Sequence, residues 1–201
     1  MSEIKFSNRI LRRFAETIAT ELGTEKFPIM LGLSNLPSRW TKTDAFLQMN
    51  AEESAKAYSA LQTAMRAYFG RGARGVLLRV GQRLWNQLLE DGSFGIKAQA
   101  AVIKRLPLAA RKKTSADLLA KILSADSGDI TVHTLDLDLL LVDHASPTAD
   151  GQSESSPICY VTQGLIRECL FWSTEQTFDV EETSCKAQGH HACEFKIIAG
   201  R

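Results

Sequence analysis

Apolar residues recur every three or four positions through the first two thirds of the chain, and every second position after Gly128. Leu11, Phe14, Ile18 and Leu22 make the first stripe, with Ser7 as a candidate cap and Gly23 as its end. Residues 24–50 carry Pro28, Gly32 and Pro37 without a clean period and are expected to be irregular. A helix over 51–69 would place Tyr58, Leu61, Met65 and Tyr68 on one face. The next, over 73–90, turns Val76, Val80, Leu84 and Leu88 inward and Arg79 and Arg83 outward. Two shorter helices are expected over 96–105 and 115–124, the second opened by a capping box of Thr114 and Asp117.

From Ile130 the period is two, and its parity switches near Thr134, which calls for a bulge or a turn. Residues 143–157 read as a polar loop, either a lid or a spacer. Ser156 and Pro157 then look like the start of a helix with the stripe Ile158, Val161, Leu165, Cys169 and Trp172. Two strands close the chain, with Phe178, Val180 and Glu182 on one face of the first and Cys193, Phe195 and Ile197 on one face of the second. Helices followed by an antiparallel sheet with one embedded helix predict an α+β fold. We divide it into an N-terminal helix and irregular extension, residues 1–50, and a domain over 51–201.

Composition narrows the function classes. The 201 residues hold 24 Lys and Arg against 23 Asp and Glu, so no bulk charge recommends nucleic acid as a partner. Apolar runs stop at about four residues, as at 139–142, where a membrane span needs roughly 20. The first residues, MSEIKFSNRILRR, lack the apolar core of a secretory signal, and a cytoplasmic protein is expected.

All four cysteines lie in the last 43 residues, which in such a setting favours metal binding over disulfides. Glu182 shares the parity of Phe178 and Val180, and a carboxylate on an apolar face must be paired, protonated or metal-bound. Cys185 follows it by three residues, Cys193 lies on the apolar face of the next strand, and Cys159 sits near a helix N-terminus that favours a thiolate. Three thiolates and one carboxylate suit a closed, structural Zn²⁺ site. Spacing alone leaves alternatives open: Glu182 could pair with Lys186 or Arg167, and His190 or His191 could replace it as a ligand. Cys169, further along the helix stripe, belongs to the core. Gly70-Arg-Gly-Ala-Arg-Gly75 spells the dinucleotide fingerprint G-x-G-x-x-G, but a helical stripe precedes it where a strand is required, so it reads as a helix–helix turn.

The stretch CYVTQGLIRECLFWSTEQTFDVEETSCKAQGHHACEFKI resembles the 4-vinyl reductase-like, or hydrocarbon-binding, domain family. Cys159, Gly164, Glu182, Cys185, Gly189, Cys193 and Phe195 occupy the places of its pattern. The resemblance implies a fold similar to the TRAPP vesicle-tethering subunits and to the sensor domains of aromatic-responsive activators. In those sensors three cysteines and a glutamate hold zinc, which carries over to Cys159, Glu182, Cys185 and Cys193. Residues that clamp a phenol in those sensors do not map onto this chain.

We therefore expect a zinc-stabilised binding module for a small hydrophobic ligand (a tetrapyrrole, an aromatic compound or a hydrocarbon), not an enzyme, working as a homodimer. Leu77, Leu84, Trp85 and Leu139 are the candidate walls of an apolar pocket between helices and sheet. A vinyl reductase is the alternative, but a four-ligand zinc leaves no open position for substrate. A non-enzymatic adaptor is the third, with Lys104, Arg105, Arg111, Lys112 and Lys113 as a contact stretch.

Overall fold

A computed structural model describes residues 4–198. The outer ends of both sequence-derived segments, residues 1–3 and 199–201, lie outside them. Among the described residues, seven α-helices and four strands follow in the order α1 (Asn8–Leu22), α2 (Phe27–Leu33), α3 (Ala51–Phe69), α4 (Ala73–Glu90), α5 (Phe94–Ile103), α6 (Leu108–Leu123), β1 (Ile130–Leu135), β2 (Asp138–Asp143), α7 (Tyr160–Thr174), β3 (Asp179–Ser184) and β4 (Cys193–Ile198). The architecture is α+β, as the period change predicts. No helix among the described residues is long and apolar enough to cross a membrane.

The periodic helices form where their stripes say. In α1, Leu11, Phe14 and Ile18 are fully buried, and Gly23 ends the helix at φ 84°. In α3, Asn50 accepts from the N–H groups of Glu52 and Glu53 while Glu53 reaches back to the Asn50 N–H, a complete capping box. Tyr58, Leu61 and Met65 are buried, but Tyr68 is exposed. Residues 70–75 are a short 3₁₀ turn running into α4, so the G-x-G-x-x-G spelling joins two helices.

Four expectations need correction. Residues 24–50 are not irregular: Pro28, in the first turn of α2, fixes φ at a helical value, and two 3₁₀ stretches follow. Helix α6 begins right after Pro107, seven residues before the expected start, because Pro107 serves as its N-cap. The Thr114 hydroxyl donates to the Ala110 carbonyl within the helix and caps nothing. Helix α7 starts at Tyr160 with Cys159 as its N-cap, so Ser156 and Pro157 stay in the preceding loop. That loop is no free lid: Ser146, Thr148 and Ala149 are buried, and Gln62 of α3 donates to the Thr148 hydroxyl at 2.9 Å.

The sheet is antiparallel throughout, in the order β1-β2-β4-β3. The parity switch is a two-residue turn, Asp136–Leu137, with Asp136 at φ 53°, and Thr134 pairs with Leu139 across it. Leu135 and Leu137, which continue the sequence alternation, are therefore exposed. Leu139, Leu141, Phe195, Ile197 and Val180 share one core with the stripes of α1, α3, α4 and α7. Helix α7 packs on α4 and also touches α6 and β3, which brings its N-terminus to the last two strands.

Candidate metal centre

Three elements converge on one buried point. Cys159 ends the loop at the α7 N-cap, and its N–H donates to Glu182 Oε2 at 2.9 Å. Glu182 faces the core from β3, opposite Phe195. Strict alternation would next turn Ser184 inward. A register shift between Glu182 and Ser184 breaks the alternation, and Cys185 is the buried residue instead. The chain then makes a 3₁₀ turn, passes Gly189 at φ 91°, and returns with Cys193 on β4. Glycine is required there because a side chain disfavours that left-handed backbone.

The Sγ atoms lie 3.5 Å (Cys159–Cys193), 3.9 Å (Cys159–Cys185) and 3.9 Å (Cys185–Cys193) apart. Together with one oxygen of Glu182, the four donor atoms fall within 4.8 Å of one another. Tetrahedral Zn–S bonds of about 2.3 Å imply Sγ–Sγ edges of about 3.8 Å, so the triangle has the size a zinc ion requires. Glu182 Oε1 is buried without a hydrogen-bond partner, and an orphaned carboxylate oxygen beside three thiols is what a cation would satisfy. The donor set therefore fits Zn²⁺. Around it, the Lys186 N–H donates to Cys193 Sγ at 3.4 Å, and the Ser146 hydroxyl lies 3.6 Å from Cys159 Sγ. Such outer contacts orient ligands.

Without a cation these four acids compete. Hydrogen bonds from Cys159 and Cys193 push the Cys185 thiol far down, making it the favoured thiolate. Cys159 is raised in turn, first by its bond to Cys185. For Cys193 the contact with Cys159 lowers the pKa, but Cys185 and burial outweigh it and push it up to about 12. Burial, then the contact with Cys185, pushes Glu182 up to about 8. One charge is thus tolerated where a bound dication would hold three or four.

The structure assembles Cys159, Glu182, Cys185 and Cys193. It leaves out Cys169, whose thiol donates to the Ser115 carbonyl at 3.2 Å in the core. His190 and His191 are exposed, Lys186 Nζ donates to the His144 carbonyl, and Arg167 reaches the Val180 carbonyl. None of the sequence alternatives for Glu182 is realised in these contacts. Leu77, Leu84, Trp85 and Leu139 are all buried, and none lines the sizeable hollows on the protein. The largest, about 820 Å³, is an open polar cleft between the N-terminal segment, residues 126–129 and the loop after β2. Sequence reasoning missed Ser146 and the buried Asp143, both in the stretch that reads as a polar loop.

Residues 143–199 match the 4-vinyl reductase domain family. The recognition drawn from the cysteine pattern holds over that stretch. Among curated proteins none matches the sequence. An H-NOX protein from Shewanella oneidensis, solved in the Fe(II)NO ligation state, is similar in fold, with a TM-score of 0.57 at 14% identity over 97% of this chain and 99% of that one. The unliganded Fe(II) H-NOX protein from K. algicida gives 0.56 at 14%, over 96% of each chain. The phenol-responsive sensory domain of the transcription activator PoxR, solved with phenol, gives 0.51 at 16%, over 71% of this chain and 73% of that one. At such identities the likeness is one of fold.

Proposed function

We propose that the chain is a ligand-sensing module in which a structural Zn²⁺ pins the α7 N-terminus to β3 and β4. The observation that carries this reading is the buried triangle of thiols with the orphaned Glu182 oxygen beside it. When bound, the ion supplies charge neutralisation and a cross-link among three segments. Cys159, Cys185 and Cys193 would give thiolates and Glu182 a carboxylate, while the Cys159 N–H keeps Glu182 oriented. With four protein donors the ion is scaffold, not reagent.

The ligand in this reading is a small hydrophobic or aromatic molecule, entering at the helix–sheet contact around Leu77, Leu84, Trp85 and Leu139. The similar folds include an H-NOX protein solved with NO and a sensory domain solved with phenol, which supports a small-molecule ligand. Trp85 adds a specific point: its indole N–H is buried with no acceptor, and a ligand oxygen would supply one. A cytoplasmic homodimer is the assembly we assign.

Metal analysis of protein purified without added zinc should give about one equivalent per chain. A folded protein free of metal, with all four thiols rapidly reactive, overturns the assignment. A panel of aromatic, lipid and tetrapyrrole compounds should contain one that raises the melting temperature with dose, because binding the native state alone stabilises it. A metal-loaded protein that no compound shifts would leave a scaffold without a sensor, and the adaptor reading would replace ours.

A further inference from the structure

Helix α5 is apolar on two sides. Ile103 is buried and Ile96 and Ala100 are half-buried against the core, which accounts for one face. The opposite face carries Phe94, Gly95, Ala98, Ala101 and Val102, all exposed, with Phe94 89% and Val102 57% accessible. Spacings of four, three and one residue put Phe94, Ala98, Ala101 and Val102 on one strip. Nothing within the described chain covers it.

The charges around this strip have one sign. From residue 92 to 116 there are six cations, Lys97, Lys104, Arg105, Arg111, Lys112 and Lys113, and no acid, in a chain whose totals balance at 24 to 23. Three of the six are engaged elsewhere: Arg111 on the Leu106 and Ser173 carbonyls, Lys112 on the Leu137 carbonyl, Lys113 on Asp117. Lys97, Lys104 and Arg105, the ones on or next to α5, are exposed and make no ion pair within 4 Å among the described residues. Lys104 Nζ lies 5.1 Å from the centre of the Trp172 ring, a contact that leaves its charge uncompensated by any acid.

We propose that this outer face of α5 docks an acidic amphipathic helix of a partner protein, with Phe94 and Val102 gripping its apolar stripe and Lys97, Lys104 and Arg105 pairing with its carboxylates. The shape favours a helix. Two bulky side chains two turns apart flank Gly95, Ala98 and Ala101, a saddle into which a facing ridge can settle at close interaxial distance. A bilayer is a poorer fit, since even a whole myristoyl chain gives only marginal attachment and this strip offers two sizeable side chains. A second copy is poorer still, because it would bring three more cations and no acid to the contact. The inference stands apart from the zinc and ligand reading and does not need it.

The test uses the full chain and three probes: a 20-residue Leu/Glu amphipathic peptide, its Leu/Lys counterpart, and phosphatidylcholine vesicles containing one fifth phosphatidylserine. The Leu/Glu peptide should bind saturably, more weakly as salt rises, with amide shifts centred on α5. Phe94→Glu, and separately Lys97→Glu with Arg105→Glu, should weaken it at least tenfold while leaving the melting temperature and metal content unchanged. The double variant should gain binding to the Leu/Lys peptide. Equal binding of both peptides to the native chain, binding indifferent to these variants, or no binding overturns the proposal. Vesicle binding without peptide binding, or self-association abolished by Phe94→Glu, also overturns it and hands the face to a membrane or a second copy.

Discussion

Gly81 of α4 and Gly164 of α7 face each other at the closest approach of the two helices. A Cβ built on Gly81 would lie inside the van der Waals envelope of the Val161 carbonyl oxygen and 3.0 Å from the Gly164 Cα. One on Gly164 would intrude on the Leu78 carbonyl oxygen and lie 3.1 Å from the Gly81 Cα. This explains why the glycine in the C-terminal pattern is needed: α7 carries Cys159 at its N-cap, and the contact with α4 sets where that N-cap points. Gly81→Ala and Gly164→Ala should each cost at least about 1–3 kcal/mol, since backbone atoms cannot rotate away. Gly72→Ala, with open space around it and φ −79°, should change stability by less than about 0.5 kcal/mol. Urea unfolding of the three variants checks the contrast.

Cys169 and Cys185 are equally buried, and only one is placed to hold metal. Cys169→Ser should keep the full zinc equivalent and lose only local packing. Cys185→Ser should lose the metal and unfold the layer formed by the α7 N-terminus, β3 and β4, because ligand-site energy is partly folding energy. Glu182→Gln keeps an oxygen for the Cys159 N–H but removes the charge, and should weaken zinc binding without unfolding the metal-saturated protein. Competition with a chromophoric chelator measures all three.

How much of this was legible follows from what each feature depends on. The boundaries of α3 and α4 follow from local stripes and caps, as does the inward parity of Glu182 and Cys193. The register shift beside Thr183 depends on pairing with β4 and leaves no mark in the local sequence, so alternation alone would have turned Ser184 inward. Ser156-Pro157 is a sound helix-start signature that long-range contacts override, since Glu182 accepts from the Cys159 N–H instead. The polar spelling of 144–152 hid a half-buried segment whose polar groups are satisfied by Gln62, Ser59 and Thr63 of α3. Polar residues with partners inside a protein look, in sequence, like polar residues in water.

Asp143 is one such residue, and it predicts a pH dependence. Burial pushes its carboxyl up to about 7 from 3.8, against the opposing pull of the Ala145 N–H and Lys186. A raised carboxyl pKa means that the folded state binds the proton more tightly than the unfolded state. Its contribution to stability is therefore lost as pH rises from about 4 to about 7, by on the order of a few kcal/mol. Asp143→Asn should flatten the stability–pH curve across that window and be relatively more stable at pH 8 than at pH 4. Metal-loaded protein and variant, compared by denaturant unfolding at matched ionic strength, isolate the effect. A pair of parallel curves would show that Asp143 stays ionised in the fold.

The last prediction bears on the sensor reading through Trp85 and Leu84, neighbours on α4 that are both fully buried. If the helix–sheet contact is a solid core, Leu84→Ala should cost about 2–5 kcal/mol, as buried leucines do. Trp85→Phe is the more telling change. The indole ring meets Trp172 edge-on at 5.6 Å, and the N–H, having no acceptor, contributes a penalty rather than a bond. Removing it should lower stability by less than the loss of ring volume alone would suggest. If a ligand oxygen accepts from that N–H, the same substitution should also weaken the thermal shift given by whichever compound binds, by about tenfold in apparent affinity for about 1.4 kcal/mol of lost hydrogen bond. Leu84→Ala, which opens space beside the same ring, should leave that bond intact and enlarge the shift for bulkier members of the compound series. A Trp85→Phe protein that answers every compound as the parent does would move the ligand away from this contact.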